Sequence, residues 1–365
     1  MKKKDTLISH ARLISQKVTE SDINDAKELV NYMGAIQAQD YAMSKWAIGV
    51  RLREPMLRQI DESLGKGEII RIHVLRPTWH LVSAEDVHWM MKLTAPKIRS
   101  SMSARNKQLE LTDAVISKTN RILESSLESG VSLTRTQLAK EFYNAGIRTD
   151  ENRLSHILFE AELEGIICSG PEKENKQTYA LLNHRVPVKK DLSRDESLAE
   201  LARRYFTSRS PATIYDFAWW SNLSLTEIRK AVDFIGSEFH SETVGSQHFI
   251  LPESFSWPQQ TVNLVRLLPS YDEFLISYRD RSNSLSIVNN PKTVSTNGIF
   301  FPIVVVNGQV AGLWQRSVKK NKLSVDANLF KPVSKTNNNQ IEKQAVRICR
   351  FLGKEPEVKI NVPAV

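Results

Sequence analysis

One order of predicted elements occurs twice in this chain and limits its fold more than any other feature: three helices followed by a two-stranded hairpin. In the first copy, the predicted helices cover 112–129, 135–144 and 151–165, and the strands cover 166–168 and 178–181. In the second copy, the helices cover 195–208, 214–221 and 225–236, and the strands cover 243–244 and 249–251. This order is that of the winged-helix variant of the helix-turn-helix. Two such modules in series predict an array, with the first 90 residues as a third, more elaborated copy.

The remaining segments divide between helix and strand. An amphipathic helix is predicted from about residue 22 to Gly34, and strands around a proline turn are predicted over 68–82. Beyond Pro258 the predicted strands are 262–268, 274–278, 299–306 and 309–316, with Asn307-Gly308 as a hairpin turn and a last helix over 340–352. The predicted fold class is therefore α+β, with tandem winged helix-turn-helix motifs and a β-rich C-terminal portion. The predicted domains are an N-terminal winged-helix-like module over 1–110, a second module over 111–190, a third over 191–258, and a β-rich region over 259–365 that carries a basic terminal helix.

Basic residues outnumber acidic ones, 50 Lys and Arg against 41 Asp and Glu, which gives a formal charge of +9 and favours a polyanionic partner. Much of the excess lies over residues 316–350, which include Lys319 and Lys320, and a second run over 87–109 includes Lys97 and Arg99 and no acid. Both runs are candidates for phosphate-contacting surfaces. Two solvated faces on a basic protein explain the same charges equally well.

Several enzyme classes lack their sequence signatures here. The chain has no G-x-x-x-x-G-K-[ST], no G-x-G-x-x-G after a strand, no H-E-x-x-H, no G-x-S-x-G and no C-x-x-C, so neither a nucleotide cofactor nor a zinc-hydrolase or serine-hydrolase site is expected. The eight histidines are scattered, which predicts no metal site. Cys168 and Cys349 are too few for a disulfide framework and are expected to be inert packing thiols.

No apolar run approaches the roughly 20 residues that span a bilayer. The N-terminal lysines resemble the start of a signal peptide, but polar residues interrupt the apolar stretch that should follow them. The sequence therefore predicts a cytoplasmic protein without a membrane partner.

The most unusual local motif is Gln37-Ala38-Gln39-Asp40, between a helix stop and an aromatic stretch. Side chains two residues apart share a face only in extended backbone, so two converging carboxamides predict an extended segment. Such groups can hold a water molecule by donating and accepting hydrogen bonds, although glutamine is no base at neutral pH. Asp40 is the ionisable residue beside them. The alternative is a polar turn whose glutamines cap a helix end.

A second motif is RIHVLRPTWH, residues 71–80. Alternation along an extended segment places Arg71, His73 and Arg76 at exposed positions, with Trp79 and His80 just past the proline bend. Because interleaved arginine and aromatic side chains suit contacts to a nucleic-acid backbone and base stacking, Arg71, Arg76, Trp79 and His80 are candidate DNA contacts. An ordinary hairpin with a buried tryptophan fits the composition as well.

A third motif, LPSYDEFL at 268–275, has adjacent acids beside an aromatic residue. Adjacent acids on a strand face opposite ways and make a poor glycosidase-like pair. We expect Asp272 to pair with Arg279 or Arg281, or to cap a turn.

Five collinear blocks together resemble the AlkZ-like winged-helix DNA glycosylases. They are GAIQAQD (34–40), IIRIHVLRPTWHLVSAEDVHWM (69–90), DFAWWSNL (216–223), LLPSYDEFLISYRDRS (267–282) and NGQVAGLW (307–314). The resemblance implies tandem winged-helix motifs arranged around a channel for double-stranded DNA. It also implies excision of alkylated purines or crosslink adducts by hydrolysis of the N-glycosidic bond. The family signature Gln-apolar-Gln, in the form found in the azinomycin-resistance branch, matches Gln37-Ala38-Gln39 and makes Gln37 and Gln39 the candidate catalytic residues.

The chemistry that this resemblance implies needs positioning more than proton transfer. A purine alkylated at N7 or N3 is already cationic and departs without a general acid, so two glutamines that hold the attacking water, with Asp40 near the positive charge, suffice without metal or cofactor. We expect such an enzyme to act as a monomer. A non-catalytic winged-helix DNA-binding protein or regulator, and a protein-interaction array, remain alternatives, because function has to be shown at the site.

Overall fold

The computed structural model describes residues 2–187, 190–259 and 263–362 of the chain. Its helices are α1 (Lys2–Ser15), α2 (Ala26–Met33), α3 (Tyr41–Gly49), α4 (Leu57–Lys66), α5 (Val87–Gln108), α6 (Asp113–Ser126), α7 (Arg135–Asn144), α8 (Arg153–Leu163), α9 (Leu182–Arg185), α10 (Arg194–Arg209), α11 (Ile214–Ser221), α12 (Leu225–Phe234), α13 (Glu273–Ile276), α14 (Asn290–Thr293) and α15 (Lys335–Phe351). Its strands are β1 (Ile36–Gln37), β2 (Ile69–His73), β3 (Trp79–Ser83), β4 (Leu133–Thr134), β5 (Ile167–Ser169), β6 (Thr178–Leu181), β7 (Phe239–Val244), β8 (Gln247–Pro252), β9 (Val265–Leu268), β10 (Ile303–Val306), β11 (Gln309–Lys319), β12 (Lys322–Leu329) and β13 (Glu355–Asn361).

The chain divides into two compact units. The larger unit contains residues 1–60, 199–220 and 224–365, and the smaller unit contains residues 61–198 with 221–223. The mixture of helix and strand agrees with the predicted α+β class.

The smaller unit contains the first predicted set of three helices and a hairpin. Helices α6, α7 and α8 surround a core that includes Leu123, Phe142 and Ile157, all fully buried. Helix α7 begins with a capping box, in which Thr134 and Gln137 each accept from the other's backbone N–H. Strands β5 and β6 then pair antiparallel, and β4 adds a short third strand that the sequence did not predict. The predicted helices and hairpin of this copy are confirmed.

The larger unit contains the second set. Helices α10, α11 and α12 precede the antiparallel pair of β7 and β8, as predicted. Tyr205, Phe206, Phe217 and Trp220 pack their rings against one another in the core between α10 and α11, with neighbouring centroids 4.8–6.4 Å apart. Aromatic burial of this kind contributes much of the stability of a small helical core.

A five-stranded sheet in the order β13-β12-β11-β10-β9 completes the larger unit. Its pairs are antiparallel except β12 with β13, which is parallel. Asn307 and Gly308 join β10 to β11 with φ angles of 51° and 78°, the left-handed backbone that a tight two-residue hairpin turn requires. Helix α15 buries Ile341, Ala345 and Ile348. The sequence predicted neither β12 nor β13.

One predicted strand is wrong. Residues 274–278 were expected to be extended, but Glu273–Ile276 is the short helix α13. The Asp272 carboxylate accepts a hydrogen bond from the backbone N–H of Phe274 and caps that helix. A buried helical turn and a buried strand have the same apolar composition, so the residue pattern did not distinguish them.

The two cysteines fit the predicted packing role. Both are free thiols and both are buried. Burial raises the pKa of Cys168 to about 12, which keeps its thiol protonated and unreactive at neutral pH. None of the helices in the described ranges combines the length and the apolar character needed to cross a bilayer.

Candidate active site

The segment that contains Gln37 and Gln39 lies in the larger unit, between two helices. Helix α2 ends at Gly34, whose φ of 71° turns the chain out of the helix. The chain then extends through the short strand β1 and bends before α3. Gln37 lies in extended backbone, as predicted, and is buried, whereas Gln39 is exposed. Ala38 between them is fully buried, so a larger middle side chain would need space that is occupied here.

Asp40 ends this segment and begins α3. Its Oδ1 accepts a hydrogen bond from the backbone N–H of Met43 at 3.1 Å, which makes Asp40 the N-cap. Its Oδ2 accepts from the Ser270 hydroxyl at 3.3 Å. The pKa of the Tyr271 hydroxyl is raised mainly by burial and to a smaller extent by the negative charge of Asp40. The residue that caps α3 is therefore Asp40.

Glu273 anchors the backbone of Gln37. One oxygen of its fully buried carboxylate, Oε1, accepts from the Gln37 backbone N–H at 2.8 Å. The other, Oε2, accepts from the Arg209 guanidinium at 2.8 Å, from the Trp220 indole N–H at 3.1 Å and from the Ser277 hydroxyl. Burial raises the pKa of Glu273, but the Arg209 charge and these hydrogen bonds outweigh it and hold that pKa at about 2. Glu273 is therefore an anion at neutral pH.

Arg209 holds the same segment from the other end of the ion pair. Its guanidinium donates to the backbone carbonyls of Met33 at 2.7 Å and Ala35 at 2.8 Å, and it lies 4.4 Å from the centre of the Trp220 ring. Backbone groups of residues 33, 35 and 37 are thus all bonded to one buried ion pair.

A second buried ion pair fixes the far end of α3. Arg51 binds both oxygens of Asp272 at 2.8 Å and also donates to the carbonyl of Ala47 and to the side chain of Gln16, both at 2.9 Å. Burial lowers the pKa of Arg51, but the Asp272 charge outweighs it and raises that pKa above its usual value. Pairing of Asp272 with Arg279 or Arg281 was therefore a wrong prediction, and capping a turn was correct.

The arrangement is an extended glutamine segment whose backbone is held by buried charged groups. Residues 270–273 run alongside it, with contacts from Ser270 to Asp40 and from Glu273 to Gln37. In the described ranges no group of three or more His, Cys, Asp or Glu side chains is placed to hold a metal ion.

Comparison with known proteins identifies the family. The model of the family described as DNA glycosylase AlkZ-like matches residues 30–351. The chain belongs to the AlkZ-like DNA glycosylase family. One curated relative, an interstrand DNA cross-link repair glycosylase of Streptomyces sahachiroi, is 23% identical over 350 residues, which are 90% of this chain and 91% of the relative. The solved structure of the Streptomyces sahachiroi DNA glycosylase AlkZ has a TM-score of 0.77 and 20% identity, over 97% of this chain and 98% of that one, and it shows the same fold.

Most residues of the site's framework in this AlkZ-like chain were missed by sequence reasoning. Arg51, Arg209 and Glu273 had no predicted role, because their partners lie far away in sequence. The one available signal was the pair of adjacent acids in the apolar context of LPSYDEFL, since two acids there require buried partners.

The second predicted motif, in the smaller unit, is mostly buried. Arg71 and His73 were expected to be exposed, which is wrong: 7% and 9% of their surfaces are accessible, and His80 is fully buried. Arg71 donates to the Gln177 side chain at 2.6 Å and stacks over Trp79 at 4.0 Å. Arg71 and His80 therefore offer almost no surface to a phosphate, whereas Arg76 and Trp79 are half-buried.

The predicted phosphate contacts differ in exposure and pairing. Lys97 on α5 is exposed, but Arg99 forms ion pairs with Glu160 at 3.0 Å and Glu164 at 3.3 Å. Glu160 in α8 and Glu164 just after it thus neutralise part of the positive charge of residues 87–109, which contain no acid themselves. Lys319 and Lys320 are exposed where β11 turns into β12.

An arginine–aromatic strip continues from Asp40 over the larger unit and comprises Tyr271, Phe300, Arg281 and Trp219. The rings of Tyr271 and Phe300 are 6.3 Å apart, and the Arg281 guanidinium lies 4.9 Å from Phe300 and 5.2 Å from Trp219. Trp219 is 41% exposed. Burial lowers the pKa of Arg281 to about 10, so this cation remains charged at neutral pH. The sequence had singled out neither Arg281 nor Trp219 as a DNA contact.

Proposed function

We propose that this protein is a DNA repair glycosylase that hydrolyses the N-glycosidic bond of alkylated purines or crosslink adducts in double-stranded DNA. Gln37 and Gln39 position the attacking water. The observation that carries the proposal is the Gln37-Ala38-Gln39 segment of an AlkZ-like chain, held in extended backbone by a buried ion pair. The names of the two Streptomyces relatives, a cross-link repair glycosylase and a DNA glycosylase, agree with it.

The proposed reaction begins with a leaving group that is already cationic. An N7- or N3-alkylated purine departs and leaves positive charge on the sugar, which water then attacks. Orientation of that water by carboxamides reduces the entropic part of the barrier, and negative groups near the sugar stabilise its charge. Asp40 is the exposed carboxylate next to Gln39, and DNA phosphates supply further negative charge. No group in this scheme has to donate a proton to the base.

We also propose that both sets of three helices and a hairpin are winged helices. The modules would then cover 111–190 and 191–258, after an N-terminal module over 1–110 and before the β-rich region over 259–365. The two capping boxes and the hairpins that follow α8 and α12 support this division, since they fix three helices and a wing in the order that defines the motif.

The DNA contacts that we propose are exposed basic side chains and the arginine–aromatic strip. Lys97, Lys319 and Lys320 suit phosphate contacts, because lysine binds phosphate as a mobile point charge. Arg281 and Trp219 combine a cation with an aromatic surface, which suits a backbone phosphate beside an unstacked base. Arg76 and Trp79 remain proposed contacts through their exposed parts.

Base release from a duplex oligonucleotide with one N7-methylguanine tests the proposal. Wild-type protein and the Gln37→Ala, Gln39→Ala double variant are compared in single-turnover reactions at saturating enzyme, so that differences in affinity do not matter. Gln315→Ala, which removes an exposed glutamine from β11, is the matched control. We expect release above the spontaneous rate with the wild type and the control, and loss of that excess in the double variant.

Two other results would change the assignment. Equal release by the double variant would remove the glutamines from the mechanism. Tight, salt-dependent duplex binding without release, from N7-methylguanine and from an interstrand-crosslinked duplex alike, would indicate a non-catalytic DNA-binding protein.

A further inference from the structure

The Arg209–Glu273 ion pair is a costly way to satisfy three backbone groups. Both side chains are fully buried, and transferring two charges out of water carries a desolvation cost that their attraction offsets only with good geometry. Well-packed apolar residues often replace such pairs without loss of stability. Stability alone is therefore a poor reason for this pair to lie behind the glutamine segment.

What the pair adds is a fixed position. Glu273 has no freedom to move, because Arg209, Trp220 and Ser277 all bind its Oε2 while Oε1 faces the Gln37 backbone N–H. Helix α2 ends at Gly34, so its regular backbone hydrogen bonds do not continue into the segment that contains Gln37. The Gln37 backbone N–H is therefore bonded to a carboxylate that cannot shift without breaking its hydrogen bonds to Arg209, Trp220 and Ser277.

We propose that Glu273 is a positioning residue for base release, which acts by holding the backbone of Gln37 so that its carboxamide meets the attacking water. The inference rests on the proposed function. Glu273 touches no substrate atom in this scheme, and its effect passes through Gln37. Orientation effects of this kind are steep, since a displacement of about 1 Å far from the reacting bond can cost about 100-fold in rate.

A double-mutant cycle in single-turnover base release tests this role. Glu273→Gln removes the charge opposite Arg209 and is expected to lower the rate at saturating enzyme by about 10- to 100-fold, with affinity for undamaged duplex unchanged. In the Gln37→Ala background the same substitution is expected to change the remaining rate by no more than about twofold, because the side chain that it positions is absent. A general loss of structure would lower the rate in both backgrounds.

Asp216→Asn is the matched control. Asp216 is a buried carboxylate of the same unit, it lies 3.7 Å from Arg12, and its hydrogen bonds within the described ranges go to residues 213, 279 and 280 rather than to residues 33–40. Its replacement should lower stability and leave the single-turnover rate at its wild-type value below the melting transition. If Glu273→Gln behaves as Asp216→Asn does, or costs the same factor with and without Gln37, the positioning role is wrong while the glycosylase assignment stands.

A shorter acid covers the case in which Glu273→Gln does not fold. Glu273→Asp keeps the charge opposite Arg209 but cannot reach both Arg209 and the Gln37 N–H, so we expect the same loss of rate with stability closer to the wild type.

If neither variant folds, hydrogen exchange on the wild-type protein decides. The Gln37 amide should exchange as slowly as the most protected core amides, and exchange at the rate of an unstructured peptide would overturn the proposal. Absence of base release by wild-type protein would instead refute the proposed function.

Discussion

Replacing Asp40 separates two roles that its position next to Gln39 suggests. The carboxylate caps α3 through Met43, and it is a negative charge beside the proposed reaction centre. An asparagine at this position would cap the helix about as well as aspartate but is neutral, whereas an alanine provides neither the cap nor the charge. Asp40→Asn and Asp40→Ala, measured together, therefore assign the role of this side chain.

The structure sets the expected magnitudes. Loss of the cap in Asp40→Ala should lower the free energy of unfolding by about 1 kcal/mol, and loss of the charge alone in Asp40→Asn by a few tenths. For a unit of this size, the alanine variant should melt about 2–4 °C lower. Asp40 is exposed, so water screens its charge: at about 6 Å and the dielectric constant of water, its attraction to a cationic sugar is about 0.7 kcal/mol, a factor of about three in rate.

The assays are thermal unfolding and single-turnover release of N7-methylguanine at saturating enzyme. We expect Asp40→Asn to melt within about 1 °C of the wild type and to lose no more than about fivefold in rate. Ser334→Ala, which removes the N-cap of α15 in the same unit, should match the lower melting temperature of Asp40→Ala without changing the rate. A loss of about 100-fold in Asp40→Asn would show that the charge acts in a poorly screened site and would refute this reasoning. An unchanged melting temperature of Asp40→Ala would refute the capping role.

Two further predictions concern the lysine hairpin and acid stability. Replacing both Lys319 and Lys320, at the turn between β11 and β12, with alanine should make duplex affinity less sensitive to salt, by the amount expected for about two lost phosphate contacts. The effect should be the same for every DNA sequence, and the single-turnover rate should not change. The control replaces Lys335 and Lys343 on α15 with alanine, and an equal effect there would show that the β11–β12 turn has no special role. Because the pKa of Glu273 is about 2 in the folded protein and 4.5 is its ordinary value, ionised Glu273 stabilises the fold by about 3 kcal/mol relative to protonated Glu273. This difference is complete above about pH 4.5 and is lost as the pH falls towards 2. The free energy of unfolding of Glu273→Gln, from urea midpoints at about pH 5 and about pH 3, should therefore depend less on pH than that of the wild type, and identical slopes would contradict the low pKa.

Local patterns predicted most helices because their signals are local. Gly34 ends α2, Thr134 and Ser224 begin α7 and α12 through capping boxes, and Asn307-Gly308 makes the turn between β10 and β11. Each of these signals lies within a few residues of the structure that it determines, so no knowledge of the tertiary fold is needed to read it.

Burial could not be predicted in the same way. Alternation along residues 71–80 assumes that one face of a strand is solvated, but Ile69–His73 is buried on both faces. The ion pairs of Arg99, in the acid-free run on α5, could not be predicted either, because Glu160 and Glu164 come from a different part of the chain. Charge along a sequence does not show which charges meet in space.

Some features of the candidate site depend on residues close together in sequence, and others depend on residues far apart. Extended backbone at Gln37 followed from the spacing of two carboxamides, and the family resemblance gave the glutamines their proposed role. The ion pair behind them joins Glu273 to Arg209, 64 residues away, and to Gln37, 236 residues away. Only the folded chain brings these three residues together.

The ionisable groups around the glutamine segment also limit the proposed chemistry. Glu273 has a pKa of about 2, so it cannot donate a proton to a departing base at neutral pH. Asp272 and Arg51 are occupied by each other, and Asp40 accepts two hydrogen bonds. Loss of an unmodified purine requires protonation of the base, whereas an N7- or N3-alkylated purine carries its positive charge from the start. A Glu273 carboxylate that stays ionised at neutral pH and an Asp40 carboxylate that accepts hydrogen bonds from Met43 and Ser270 thus fit the proposed excision of alkylated purines, whose departure needs no proton.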